Sequence, residues 1–152
     1  MSNSSVIAVQ VARADELDVL MPRVRALNDH EHITVPTEQL RASLAHLLSY
    51  PELGLAFHIT RGPTAIGYAL TTFSFDLEFG GREAWLTELW IDDVHRGSGV
   101  GRAAIELLAA ELSDRDIGAM HLQVRPENPA FRLYERMGFE ASPRTVMTKR
   151  LR

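Results

Sequence analysis

Residues 93–112, DVHRGSGVGRAAIELLAAEL, place three glycines within five positions directly ahead of a helical apolar repeat. Gly97, Gly99 and Gly101 are a poor way to begin a helix for stability alone, because a helix-interior glycine costs about 1 kcal/mol against alanine. The chemistry that suits them is anion binding. The first amides of a helix have no intrahelical partner and carry the positive end of its dipole. Without Cβ atoms, a pyrophosphate can reach several of those amides at once. Arg96 and Arg102 flank the turn and suit pairing with phosphate. The competing reading is a tight turn with close helix packing.

Two known phosphate-binding patterns fit badly. Gly99-Val100-Gly101-Arg102-Ala103-Ala104 satisfies GxGxxA in form. A dinucleotide fold, however, needs parallel βαβ units around that turn. A phosphate-binding P-loop needs GK[ST] after its second glycine, and none is present.

The elements that must position the turn follow from periodicity. Residues 6–11 read as a strand, and Asp15 is a candidate cap for a helix carrying Leu17, Leu20, Met21, Val24 and Leu27. Pro22 interrupts that helix, either as a kink or as its true start. Residues 28–36 read as a polar loop, and Thr37 opens a second helix with Leu40, Leu44, Leu47 and Leu48. From Leu55 the period changes to that of strands: 55–60, 64–75 and 83–91, with short turns between them, predict an antiparallel meander. The glycine turn then leads into a helix over 99–112. A strand over 119–124 follows, then a helix capped by Asn128 with Pro129 at its first position and Gly138 at its end. Residues 145–151, TVMTKRL, read as a closing strand. The fold class is mixed α/β (α+β): a central, mostly antiparallel sheet with flanking helices, in the order β-α-α-β-β-β-α-β-α-β.

The totals set the outer bounds. A chain of 152 residues suits one domain, 1–152, and can bury a core without metals or disulfides. Net charge is −4, which argues against nucleic acid as the main partner. Cysteine is absent, so thiolate nucleophiles and cysteine-based zinc sites are excluded. No apolar run approaches a membrane span and the N-terminus lacks a signal-peptide pattern, so a cytoplasmic protein is expected. His30-Glu31-His32 is the one metal-like cluster, and it lacks further ligand spacing; no metal is expected.

Arg96-x-x-Gly99-x-Gly101 resembles the pyrophosphate loop of the GCN5-related N-acetyltransferase (GNAT) family. A second segment, NPAFRLYERMGFE over 128–140, resembles that family's later helix, with Ala130, Leu133, Tyr134, Gly138 and Phe139 on its pattern. The element order agrees from end to end. One position departs: the family's asparagine falls where this chain has Glu127, with Asn128 one step late.

The resemblance implies an acetyl-CoA-dependent N-acetyltransferase. It places the pyrophosphate on the segment Arg96, Gly97, Ser98, Gly99, Val100, Gly101 and Arg102, with Asn128 as a further cofactor contact, or only as a helix cap. The pantetheine arm would run along Leu89-Trp90-Ile91, where the N–H of Leu89 or Trp90 would stabilise the oxyanion. Tyr134 matches the family's proton donor to the departing thiolate, against packing of a core tyrosine. Glu88 is the candidate base or amine-binding group, against a structural ion pair. His121 is expected to be structural. Asp29, Glu31 and Asp76 would line the acceptor side, and their charge favours a small cationic amine such as a polyamine or aminoglycoside. The alternatives are a protein N-terminus or lysine, or a non-catalytic acyl-CoA-binding module. A homodimer through an exposed terminal strand is expected.

Overall fold

The computed structural model describes residues 6–152. The meander over 54–91 builds its centre. Strands β2 (Gly54–Arg61), β3 (Thr64–Asp76) and β4 (Gly81–Ile91) pair antiparallel in sequence order, and β1 (Ile7–Val11) adds antiparallel to β2. Nearly every residue of β2 is buried, because helices cover both of its faces. This explains why its sequence reads as an almost unbroken apolar run.

Helices α1 (Leu17–His30) and α2 (Thr37–Ser49) lie on one face. Leu20, Met21, Val24 and Leu27 of α1 and Leu44 of α2 pack there with Ala56 and Tyr68. Helix α3 (Val100–Asp114) covers the other face through Val100, Ala104, Ile105 and Leu108, packed on Phe57, Ile59, Ile66, Ala69 and Ile91. It also makes the crossover that brings β5 (Ala119–Leu122) parallel to β4, giving a five-stranded sheet in the order β1-β2-β3-β4-β5. Helix α4 (Ala130–Arg136) ends at Met137 and Gly138, where φ is +95°.

Three local expectations are corrected. Asp15 does not cap α1. It lies in a 3₁₀ turn and accepts from Arg13, while Glu16 takes the Arg13 backbone N–H. Residues 28–30 belong to α1, not to the loop, because the helix runs on through Pro22 to His30. Residues 145–151 form no strand. The Thr145-Val146-Met147-Thr148 composition suits a strand, but the segment meets no ladder, and Val146, Met147 and Leu151 are largely exposed. A strand needs an edge to pair with as much as it needs a period.

Candidate active site

Two features of β4 shape the site. The first is a bulge: Leu70 pairs with Glu88 and Thr71 with Leu86, so Thr87 has no opposite number. Such an insertion re-aims the residues beyond it. The second is that the ladder to β5 stops at Leu86 and Leu122, while β4 continues to Ile91. Past the bulge, β4 has β3 on one side and, among the described residues, no strand on the other.

The hydrogen-bond parity then decides which groups face that open side. The Asp92 N–H donates to the Ile66 carbonyl in the same register that pairs Trp90 with Tyr68 and Glu88 with Leu70. Antiparallel pairs alternate between bonded and non-bonded. The peptide groups of Glu88 and Trp90 therefore turn toward β3, and those of Leu89 and Ile91 turn into the gap. In agreement, the Ile91 carbonyl accepts from Arg96 Nε at 2.7 Å.

The open edge leads into the glycine turn. Gly97 and Gly99 have φ of +82° and +77°, which side chains rarely adopt, and Gly99 is the N-cap of α3. A Cβ built on Gly97, Gly99 or Gly101 would meet no protein atom within 4 Å. Packing within the chain therefore does not account for Gly101. The space in front of the helix amides is open, as a pyrophosphate would need.

The arginines beside this turn have partners. Arg96 lies with its guanidinium 4.3 Å over the Trp90 ring and pairs with Asp93 at 2.8 Å. Arg102 pairs with Glu106 at 3.0 Å on the exposed face of α3. A third arginine, which the motif did not point to, reaches the turn from the end of β2: Arg61 donates to Ser98 Oγ at 3.5 Å and lies 3.4 Å from His95 Nδ1. Val100 is buried in the core, so only its backbone faces the turn.

Glu88 sits on the α1/α2 face, where Tyr68 donates its hydroxyl to Oε2 at 2.8 Å. Burial pushes the Glu88 carboxyl above its ordinary value, and the Tyr68 bond opposes that rise. Two residues on, Trp90 is held between Arg96 and His30, whose ring meets it edge-on at 5.8 Å. Arg23 of α1 clamps Asp92 through both carboxylate oxygens, at 2.9 and 2.8 Å, and fixes the end of β4 against the helix.

Tyr134 lies on the opposite face. It packs on the hydrophobic cluster of the α3 face, to which Leu89 and Ile91 also belong, and stands edge-on to Phe139 at 5.8 Å. Burial raises its phenol above the ordinary value, so it stays protonated at neutral pH. The two faces of the sheet thus carry different groups: the Glu88 carboxylate on the α1/α2 face and the Tyr134 phenol on the α3 face.

The remaining candidates disperse. Asn128 is exposed and caps α4, accepting the Ala130 N–H at 2.9 Å. Asp29 pairs with Arg25 on α1, and Glu31 is exposed just beyond the helix, at the Trp90 end of β4. Asp76 caps the turn at the far end of the hairpin by accepting the Glu78 N–H. Eight residues of β3 separate Asp76 from Tyr68, about 26 Å of strand. The fold therefore does not gather the three acids around one point.

His121 lies between the Phe79 and Trp85 rings and bonds Glu83 Oε2 at 2.7 Å, while Ser74 donates to Oε1. Glu83 stands between the hydroxyl and the imidazole, so this is no nucleophile–base relay. Among the described residues no cluster of three or more His, Asp or Glu could hold a metal, and no helix is long and apolar enough to cross a membrane.

Sequence patterning missed Tyr68 and Arg61 as site residues, while His30 belongs to the loop read as lining the acceptor side. Strand register brings in the first two, with no local motif to mark them.

Comparison with known proteins bears on this geometry. A model of the acetyltransferase (GNAT) family matches residues 21–139. The chain is 34% identical over 86 residues to the [ribosomal protein bS18]-alanine N-acetyltransferase of Escherichia coli K12, covering 56% of this chain and 54% of that protein. It thus spans about half the length of this curated relative. It is 24% identical over 148 residues to the thialysine N-epsilon-acetyltransferase of Bos taurus, covering 87% of this chain and 83% of that one. Among solved structures, aminoglycoside N-acetyltransferase AAC(6')-Iy in complex with CoA superposes with a TM-score of 0.78 at 17% identity, covering 97% and 96% of the two chains. At that identity the likeness is one of fold.

Proposed function

The chain belongs to the acetyltransferase (GNAT) family, and on that premise we propose that it transfers an acetyl group from acetyl-CoA directly to a primary amine. The observation that carries the proposal is the unpartnered edge of β4 beyond Leu86, which presents the Leu89 amide and runs into a glycine turn with open space before it.

In this reading the turn from Gly97 to Arg102 holds the pyrophosphate, with Arg61 and Arg96 beside it. The Leu89 N–H, rather than that of Trp90, faces the developing oxyanion, because Trp90's own amide is committed to β3. Glu88 takes a proton from the arriving ammonium. The amine nitrogen forms the new bond to the acetyl carbon, the carbon–sulfur bond breaks, Tyr134 gives its proton to the thiolate, and the proton shed by the new amide nitrogen passes to water, from which the phenol is restored. Acid and base stand on opposite faces of the sheet, so the amine enters from the Glu88 side while the thiol leaves past Tyr134.

For the acceptor we propose a small cationic amine. The half-buried carboxylate of Glu88 and the acids Asp29 and Glu31, which flank the His30 that meets Trp90, support it, as does the relative that acts on thialysine. A second reading, acetylation of a protein N-terminus, is favoured by the relative that acts on the alanine of a ribosomal protein.

Thiol release from acetyl-CoA, measured against polyamines, aminoglycosides, lysine analogues and short peptides, tests the proposal. Turnover with the small amines supports it, and turnover with alanine-terminated peptides alone selects the second reading. Thermal stabilisation by acetyl-CoA without turnover on any acceptor would leave a binding module.

A further inference from the structure

We infer that Tyr68 is a positioning residue for the transfer: its hydroxyl clamps Oε2 of Glu88, leaving Oε1 as the oxygen that receives the amine's proton. The inference rests on the reading of Glu88 as the base, and it names what makes that carboxylate usable.

Tyr68 is fully buried in β3, among the side chains of α1 and α2. Phenylalanine would fill that space equally well. Burying a hydroxyl is unfavourable unless it finds a partner, and this one finds Glu88 at 2.8 Å. The contact depends on register. Leu70 stands opposite Glu88, and the bulge at Thr87 turns the carboxylate onto the face that Tyr68 shares. Burial and the nearby carboxylate push the phenol far above its ordinary value, so it acts only as a donor. Among the described residues Glu88 takes no second protein hydrogen bond, and Oε1 is not among the buried unpartnered atoms. One oxygen is fixed and the other is open.

The consequence is electrostatic. Burial alone would drive Glu88 toward its neutral form, which cannot accept a proton. A hydrogen bond donated to the ionised form pulls the other way. Tyr68 thus keeps a half-buried carboxylate ionised while orienting it. The other titratable or charged groups on the packed elements are His58 of β2, opposite Tyr68 in the ladder and 3.1 Å from Glu16, the Arg23–Asp92 pair, His30 and Arg96 on either side of Trp90, and the Glu83–His121 pair earlier along β4 and β5.

The test is the pH profile of kcat/KM for thiol release, with the amine acceptor that turns over best. Losing the donor raises the Glu88 pKa, so Tyr68→Phe should move the acid limb up by about one pH unit. Well above that limb the plateau should hold within about threefold. Site-specific 3,5-difluorotyrosine at position 68 keeps the shape and strengthens the donor, so the acid limb should move down. This variant also covers the case in which Tyr68→Phe does not fold. In a Glu88→Gln background, Tyr68→Phe should add nothing further to the loss in kcat.

An unmoved acid limb in both Tyr68 variants, or an equal loss of rate at every pH, overturns the inference. Failure of the underlying reading is distinguishable: Glu88→Gln would then keep the wild-type rate and profile.

Discussion

Tyr134 and Glu88 have roles that single substitutions separate. If Tyr134 is the acid of the proposed transfer, Tyr134→Phe removes that donor without changing the shape of the core face, so kcat should fall about a hundredfold while the acetyl-CoA KM holds. Steady-state thiol release checks this, and an unchanged kcat across pH would remove Tyr134 from the chemistry. Glu83 makes a separate prediction about stability. Burial opposes its ionisation, but the Ser74 hydrogen bond and the His121 pairing outweigh that and hold the carboxyl below its ordinary value. A depressed folded pKa gives stability that is present above the unfolded carboxyl value and lost as pH falls through the folded one. Wild type should therefore melt at progressively lower temperature from about pH 5 downward. Glu83→Gln should melt lower at pH 7 and show a shallower acid slope. Tyr134 was legible from its motif. Glu83 and Tyr68 were not, because a strand's sequence does not say which residue of another strand will stand across from it.

The glycine turn makes a sharper prediction at the scale of the element. Gly101 lies in the first turn of α3 with no positive φ, and an added Cβ meets nothing. Gly101→Ala should therefore stabilise the free protein by up to about 1 kcal/mol through helix propensity. The same methyl group stands where the pyrophosphate would approach the amides, so acetyl-CoA should bind more weakly. Opposite signs in urea denaturation and in calorimetric titration with acetyl-CoA are the expected result. Gly99→Ala should instead destabilise by about 1–2 kcal/mol, because φ of +77° is strained for any side chain. The strand–turn–helix order around these glycines was readable from periodicity. The splay of β4 from β5 was not, because both segments have ordinary strand composition and only the ladder's end at Leu86 opens the gap.

The C-terminal segment carries a prediction for the whole molecule. Val146, Met147 and Leu151 are exposed, while β5 is an edge of the sheet. An exposed edge and an unpaired strand-like segment favour association. We expect a homodimer in analytical ultracentrifugation at micromolar concentration, and a monomer after deletion of residues 143–152. A full-length monomer would leave the segment without this role. Deletion should spare acetyl-CoA binding if the glycine turn and the β4 edge alone hold the cofactor.

The sequence by itself determined the alternation of strands and helices, the meander, the glycine turn that opens α3 and the tyrosine of the later helix. These are local: each is written in a period of two or 3.6 residues, or in glycines and caps a few positions apart. Only the tertiary structure decided which backbone amides face the gap, which oxygen of Glu88 is left free, and that Asp76 lies far from Asp29 and Glu31. It also decided that the last segment finds no partner strand within the chain. Those outcomes depend on register and on a single bulge at Thr87, and one residue of slip would send every side chain beyond it to the other face.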